Sequence, residues 1–154
     1  MSFECTPHEH CIDTALKQAY DVCSAQGARL TESRKRVLEL VWVSHAPIKA
    51  YDILKELQKE DSGAKPPTVY RALDFLIDHG LVHKIQRLNA YIGCNHPEGS
   101  QPCFFLICKQ CDIVSEHHDD AYQELIKEIS ETHHFMPEAM SFEMEGLCGQ
   151  CVAS

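Results

Sequence analysis

KPPTVYRALDFLIDHGLVHKIQRLNAYIGC, residues 65–94, reads as a helix that runs into a hairpin. Pro66-Pro67 suits a first helical turn, where the missing N–H costs nothing. Val69, Leu73, Leu76 and Ile77 form an apolar stripe at helical spacing, and Gly80 ends it. Leu81 to Gln86 and Tyr91 to Cys94 are short apolar segments around Arg87-Leu-Asn-Ala, which reads as a turn. Three helices are expected upstream. Cys11 to Ala25 carries Ile12, Leu16, Ala19 and Cys23 on one face and meets Gly27, a natural terminator. Thr31 is placed to cap a second helix through Val37, Leu38, Val41 and Trp42. Pro47 is expected to open a third, with Tyr51, Ile53, Leu54 and Leu57, followed by an Asp61-Ser-Gly-Ala loop. Helices followed by a two-stranded hairpin describe a winged helix-turn-helix.

A chain of 154 residues is enough for one domain or two small ones, and 44% hydrophobic residues can fill a core. No apolar run approaches the ~20 residues of a membrane span. The polar start, MSFECTPHEH, does not read as a signal peptide, so the expected compartment is the cytoplasm. Nine cysteines, mostly at metal spacing, fit reducing surroundings better than a disulfide framework. The net charge of −9 argues against nucleic acid only until it is divided. Residues 1–92 hold 12 Lys/Arg and 12 Asp/Glu; residues 93–154 hold 2 and 11, so they carry the whole surplus. The expected division is a DNA-binding domain over 1–92 and a metal-binding, dimerising domain over 93–154.

Two Cys-x-x-Cys pairs, Cys108/Cys111 and Cys148/Cys151, offer four soft ligands suited to tetrahedral zinc. The 36 residues between the pairs exceed the roughly 12–20 of a zinc ribbon or finger. The metal therefore staples the edge of a small domain instead of being its whole fold. Between the pairs, Phe104–Ile107 reads as a buried strand, Ile113-Val-Ser as a second strand and Ala121 to His134 as a helix. That helix carries Tyr122, Leu125, Ile126 and Ile129 on one face. Met140, Phe142 and Met144 alternate with Ser141, Glu143 and Glu145, the period of a half-exposed strand that returns Cys148 and Cys151 to the first pair. An antiparallel sheet with this helix is the expected dimerisation unit. The fold class is α+β: a winged helix-turn-helix followed by a small α/β domain stapled by a four-cysteine zinc.

Thr68, Tyr70 and Arg71 lie on the first turns of the fourth helix, off its apolar stripe, where a recognition helix meets bases and phosphates. Arginine suits guanine or phosphate, and the hydroxyls suit phosphates. Lys65 and the run Arg34-Lys35-Arg36 add positive charge, and Tyr51 joins the DNA-facing candidates. The segment from Lys65 to Leu73, Gly80-Leu-Val-His-Lys84 and the cysteine quartet together resemble the ferric uptake regulator family, most closely its zinc uptake branch, over about residues 11–152. The resemblance implies a homodimeric repressor of zinc uptake genes that binds an AT-rich inverted repeat when its sensing metal is bound, with no membrane and no small-molecule substrate.

A second metal constellation is expected from His83 on the first wing strand, Cys94 at the hinge, Cys103 before the first knuckle and Glu116 after it. Relatives often have a ligand histidine where this chain has Cys103; His96 is the competing donor. Two zinc ions per protomer follow, one structural and one regulatory. Such a metal would fix the spacing of the two DNA-reading heads, removing an ordering cost on DNA. Cys5, His8, His10 and Cys11 form a weaker cluster, and His117, His118, His133 and His134 flank the last helix without a full ligand set. The rival readings are an iron or peroxide sensor, a zinc-dependent enzyme and a zinc-buffering or interaction module. Iron favours histidine and carboxylate, whereas Cys94 and Cys103 make this site soft. No H-E-x-x-H or deaminase pattern is present.

Overall fold

The computed structural model describes residues 8–43, 46–97, 99, 102–138 and 140–153. The chain forms two compact units, Met1–Glu98 and Gly99–Ser154. Cys5 lies outside the described residues, as does the side chain of His8.

The first unit contains α1 (His8–Ala25), α2 (Glu32–Trp42), α3 (Ala50–Glu60), α4 (Pro66–Asp78), β1 (Val82–Ile85) and β2 (Ala90–Gly93). Leu38, Ile53, Leu73 and Leu76 are fully buried at its centre, one or more from each of α2, α3 and α4. Cys23 adds a thiol to this core, raised in pKa by burial. Gly27 takes φ +66° after α1, and Gly80 takes φ +68° after α4, a left-handed backbone that side chains resist. At α4 the Schellman pattern is complete: Gly80 N–H donates to Ile77 C=O at 2.9 Å and Leu81 N–H to Leu76 C=O at 2.8 Å. The turn at Gly80 sends the chain straight into β1.

β1 and β2 are antiparallel, with Val82 opposite Gly93 and His83 opposite Ile92. Asn89, at φ +46°, closes the turn. Three expectations need correction here. Thr31 stands at the α2 N-cap, but its side chain makes no capping hydrogen bond. Pro47 does not open α3. Ile48 instead pairs with Tyr91 through two backbone hydrogen bonds, 2.9 and 2.8 Å, and so adds a bridge to the hairpin before α3 begins. Tyr51 is not a core position: it is 64% exposed, while Ala50, Ile53, Leu54 and Leu57 fill the buried face.

The second unit contains β3 (Phe104–Cys108), β4 (Val114–His117), α5 (Asp120–Thr132), β5 (Glu143–Gly146) and the single turn α6 (Gly149–Val152). The sheet order is β4-β3-β5. β3 and β4 are antiparallel, but β3 and β5 are parallel, which corrects the expected all-antiparallel sheet. A parallel neighbour needs a crossover, and α5 supplies it. Asp119 caps α5 by accepting from Ala121 N–H at 2.8 Å. Tyr122 of α5 meets Phe104 edge-on at 5.3 Å, and Phe142 lies 5.7 Å from Tyr122, so three rings tie helix to sheet. Leu125 and Ile129 are about half exposed, and α5 has no fully buried residue.

Candidate metal centre and nucleic-acid interface

The parallel pairing of β3 and β5 is what joins the two cysteine pairs. Both strands run the same way, so both knuckles emerge at the same edge. Cys108 is paired with Gly146, and Lys109 N–H donates to Gly146 C=O at 2.9 Å. The first knuckle turns back on itself through Asp112 N–H to Cys108 C=O at 2.9 Å, with Asp112 at φ +55°. Cys148 stands at the N-cap of α6, and its N–H donates to the Cys108 sulfur at 3.3 Å. One sulfur from each of Cys108, Cys111, Cys148 and Cys151 lies within 4.8 Å of the others. A tetrahedron with Zn–S of ~2.3 Å requires sulfurs about 3.8 Å apart. The Cys111 and Cys148 sulfurs are 3.9 Å apart. Donor type, number and spacing all fit zinc.

The same amides tune the thiols. Hydrogen bonds from the backbone N–H of Cys148, and then of Cys111 and Gln110, hold the Cys108 thiol down at about 6. Cys151 is pushed up to about 12, first by its hydrogen bond with Cys148 and then by burial. The three amides favour the thiolate form of Cys108 over its neighbours. Zinc binding must displace the remaining protons.

The second group of donors divides by unit. In the first unit, His83 lies on β1, and Cys94 directly follows β2, with its N–H donating to Leu81 C=O at 3.0 Å. The register puts His83 opposite Ile92, and Cys94 two residues further on lies on the same face. His83 and Cys94 are therefore diagonal neighbours across an antiparallel pair. In the second unit, Cys103 immediately precedes β3 and Glu116 lies on β4, opposite Phe105. Cys103 and Glu116 are again diagonal neighbours on one face. The Glu116 carboxylate is almost fully buried and lies 3.0 Å from His118 Nε2. Burial, and then the Glu116 charge, push the Cys103 thiol up to about 11. His96, the competing donor, is exposed on the segment after Cys94. His117 stacks on Phe104 at 5.5 Å, while His133 and His134 follow α5 on the surface.

Lys65, Thr68, Tyr70 and Arg71 are all exposed at the start of α4, while Val69, Ala72 and Leu73 between them are buried. The helix thus turns one face to the core and offers hydroxyls and cations on the other. Lys55 Nζ sits 4.3 Å above the exposed Tyr51 ring on α3. The run Arg34-Lys35-Arg36 has partners within the unit. Arg34 stacks over Phe75 at 3.6 Å and donates to Arg29 C=O at 2.6 Å. Arg36 pairs with Glu60 and Glu39, which raises its pKa. Lys35 lies 4.0 Å from Glu39. The i, i+3 spacing of Arg36 and Glu39 was readable in the sequence; the partnership with Glu60, from another helix, was not.

The fold and the thiol quartet define a metal-binding winged-helix protein. A model of the ferric uptake regulator family matches residues 25–145, and the chain belongs to that family. Within it, the chain falls with the zinc uptake regulators. It is 36% identical to the zinc uptake regulation protein of Escherichia coli (strain K12) over 138 residues, 89% of this chain and 81% of that one. Among solved structures, a zinc uptake regulator complexed with zinc and DNA is 33% identical, with a TM-score of 0.84 over 97% of each chain. The crystal structure of holo XcZur is 36% identical, with a TM-score of 0.82, covering 93% of this chain and 99% of that one. The family is one of transcription regulators, so the chain is not an enzyme.

Proposed function

We propose that this protein is a zinc-responsive transcriptional repressor of zinc uptake genes, acting in the cytoplasm as a zinc-loaded homodimer on an AT-rich inverted repeat. Residues 1–92 read DNA through Lys65, Thr68, Tyr70 and Arg71 on α4, with Tyr51 from α3. Residues 93–154 bind metal and dimerise. Each protomer holds two zinc ions. Cys108, Cys111, Cys148 and Cys151 hold the structural one. His83, Cys94, Cys103 and Glu116 hold the regulatory one.

The observation that carries this reading is the continuity of α4 with the hairpin. The Gly80 turn leads from the recognition helix directly to His83, and β2 leads from the hairpin directly to Cys94. A metal held by these two residues acts on the rigid body that contains the DNA-reading helix. Two thiolates favour zinc over iron. Ligation by residues from both units would restrict their relative freedom, so the ordering cost is met before DNA binds. The likeness to a regulator solved with zinc and DNA supports the choice of metal and of partner.

The test combines metal analysis with a DNA shift assay. Purified protein should carry one zinc that survives mild chelation and one that exchanges. Removing the exchangeable ion should abolish retardation of an AT-rich inverted repeat, and zinc should restore it. Retardation indifferent to chelator, or restored by ferrous iron and not by zinc, would refute the zinc-responsive reading.

A further inference from the structure

Gly93 separates the two faces of the hairpin at its most constrained point. A methyl group added to Gly93 would lie 2.2 Å from Trp42 Cε2, 2.4 Å from Nε1 and 2.5 Å from Cζ2. These are ring atoms of a rigid indole, not the flexible end of a long side chain. Trp42 is the last residue of α2 and packs against the buried core. The edge of its ring therefore lies on the backbone of Gly93, and any side chain there must displace one or the other.

The next residue is Cys94. Strand alternation sends Gly93 toward the α2 side and Cys94 toward the opposite face, the face of His83. Cys94 is buried, and its own backbone is tied to Leu81. The indole bears on the backbone one residue before the thiol, at the point where β2 ends. A shift of Gly93 away from Trp42 moves the Cys94 sulfur with it, because one peptide unit is planar and stiff.

We propose that Trp42 and Gly93 form a size-matched contact that positions Cys94 for the regulatory metal, making Trp42 a positioning residue for zinc sensing. This rests on the assignment of Cys94 as a regulatory ligand. It also makes the indole a built-in reporter, since Trp42 is the only tryptophan of the chain. Metal at Cys94 stiffens the strand end beneath the ring, and a change in emission follows. No other element of the reading requires an aromatic residue at the end of α2.

The experiment uses full-length protein carrying its retained zinc but stripped of the exchangeable one. Zinc is titrated against a chromophoric competitor while tryptophan emission is followed. Wild-type emission should change and saturate at one equivalent. Gly93→Ala and Trp42→Ala should each weaken the exchangeable site about 10- to 100-fold, the usual effect of losing support behind a ligand. The retained zinc should stay. Trp42→Leu combined with Gly93→Ala should recover most of the affinity, because a side chain ending at the Cδ atoms vacates the space that the new methyl needs. Ile53→Val, a core change on α3, is the control for general loosening, with thermal midpoints of the metal-stripped variants compared. If Gly93→Ala does not fold, Trp42→Ala alone carries the comparison. Wild-type affinity in the folded variants, or losses no larger than those of Ile53→Val at matched midpoint, would overturn the positioning role. Cys94→Ser separates the two levels. If it lowers affinity while the Trp42 and Gly93 variants do not, the positioning inference fails alone. If it leaves the exchangeable site untouched, Cys94 is not a ligand and the regulatory-site assignment falls with it.

Discussion

At the scale of single residues, the quartet is held by unequal thiols. Cys108 accepts from the backbone N–H of Cys148, and its pKa of about 6 follows from that and two further amides. Lowering a folded-state pKa has a definite sign: the stabilisation is complete above the unfolded thiol's value and disappears as pH falls through about 6. Zinc affinity moves in the same direction, because protons and metal compete for sulfur. The structural zinc should thus be lost to chelator progressively as pH falls, with the second unit unfolding as it leaves. Cys148→Ser removes one of the four thiols while keeping the backbone N–H that bonds Cys108, and should give the same loss at pH 7. Metal analysis with circular dichroism across pH checks both, and a Cys148→Ser protein that stays folded and fully metallated would contradict the structural role. At Cys103, where burial pushes the thiol up to about 11, one proton must leave for metal to bind. That binding should strengthen about tenfold per pH unit through the neutral range for each proton displaced.

At the scale of elements, α4 was the most legible part of the chain, because its ends are chemically marked. Pro66 starts it and Gly80 stops it, and the apolar stripe between them was sufficient to separate Val69 and Leu73 from the outward Thr68, Tyr70 and Arg71. The start of α3 was not legible. Pro47 looks like a first-turn proline, but Ile48 is drawn into the sheet by Tyr91, a partner far along the chain. The same limit applies to β5. Its alternation identified a strand, but only the fold reveals that it runs parallel to β3 and so brings Cys148 beside Cys108. Tyr51 fits both the apolar pattern of α3 and the DNA-facing set, because tyrosine is ambiguous in an apolar pattern, and its exposure removes it from the core. The separation of faces on α4 gives a clean test. Arg71 is exposed and packs no core, so Arg71→Ala should leave thermal stability and zinc content unchanged. Operator binding should weaken by about 1–3 kcal/mol per half-site if the guanidinium reads a base. If it meets only phosphate, the loss should be uniform across sequences and the salt slope should fall. Shift assays on operator and scrambled DNA at two salt concentrations distinguish these, and unchanged affinity would remove Arg71 from the interface.

At the scale of the whole chain, charge and apolar surface divide the labour. Residues 1–92 are electrically neutral, with Lys65 and Arg71 exposed at the start of α4 and other cations spent on pairs such as Arg36–Glu60. The other half carries the acidic surplus, which repels phosphate and should keep non-specific binding weak. What that half offers instead is apolar surface. Leu125 and Ile129 of α5 remain about half exposed, and Phe135, Met136 and Met144 are at least as exposed. A helix with a strong apolar face and no buried residue calls for a partner surface. A second copy of the chain meets that need and would suit the inverted repeat proposed above, since a two-fold protein matches a two-fold site. The double variant Leu125→Glu/Ile129→Glu puts like charges on the face that would pair. It should shift the protein to monomer in analytical ultracentrifugation while the cysteine quartet keeps its zinc. A monomer can still reach one half-site, but it loses the gain from engaging both at once. Affinity for the full repeat should therefore drop toward that for an isolated half-site, and the zinc dependence should weaken with it. A variant that remains dimeric would place the pairing surface elsewhere than α5, and one that is monomeric yet binds the repeat as tightly as wild type would show that the two heads do not act together.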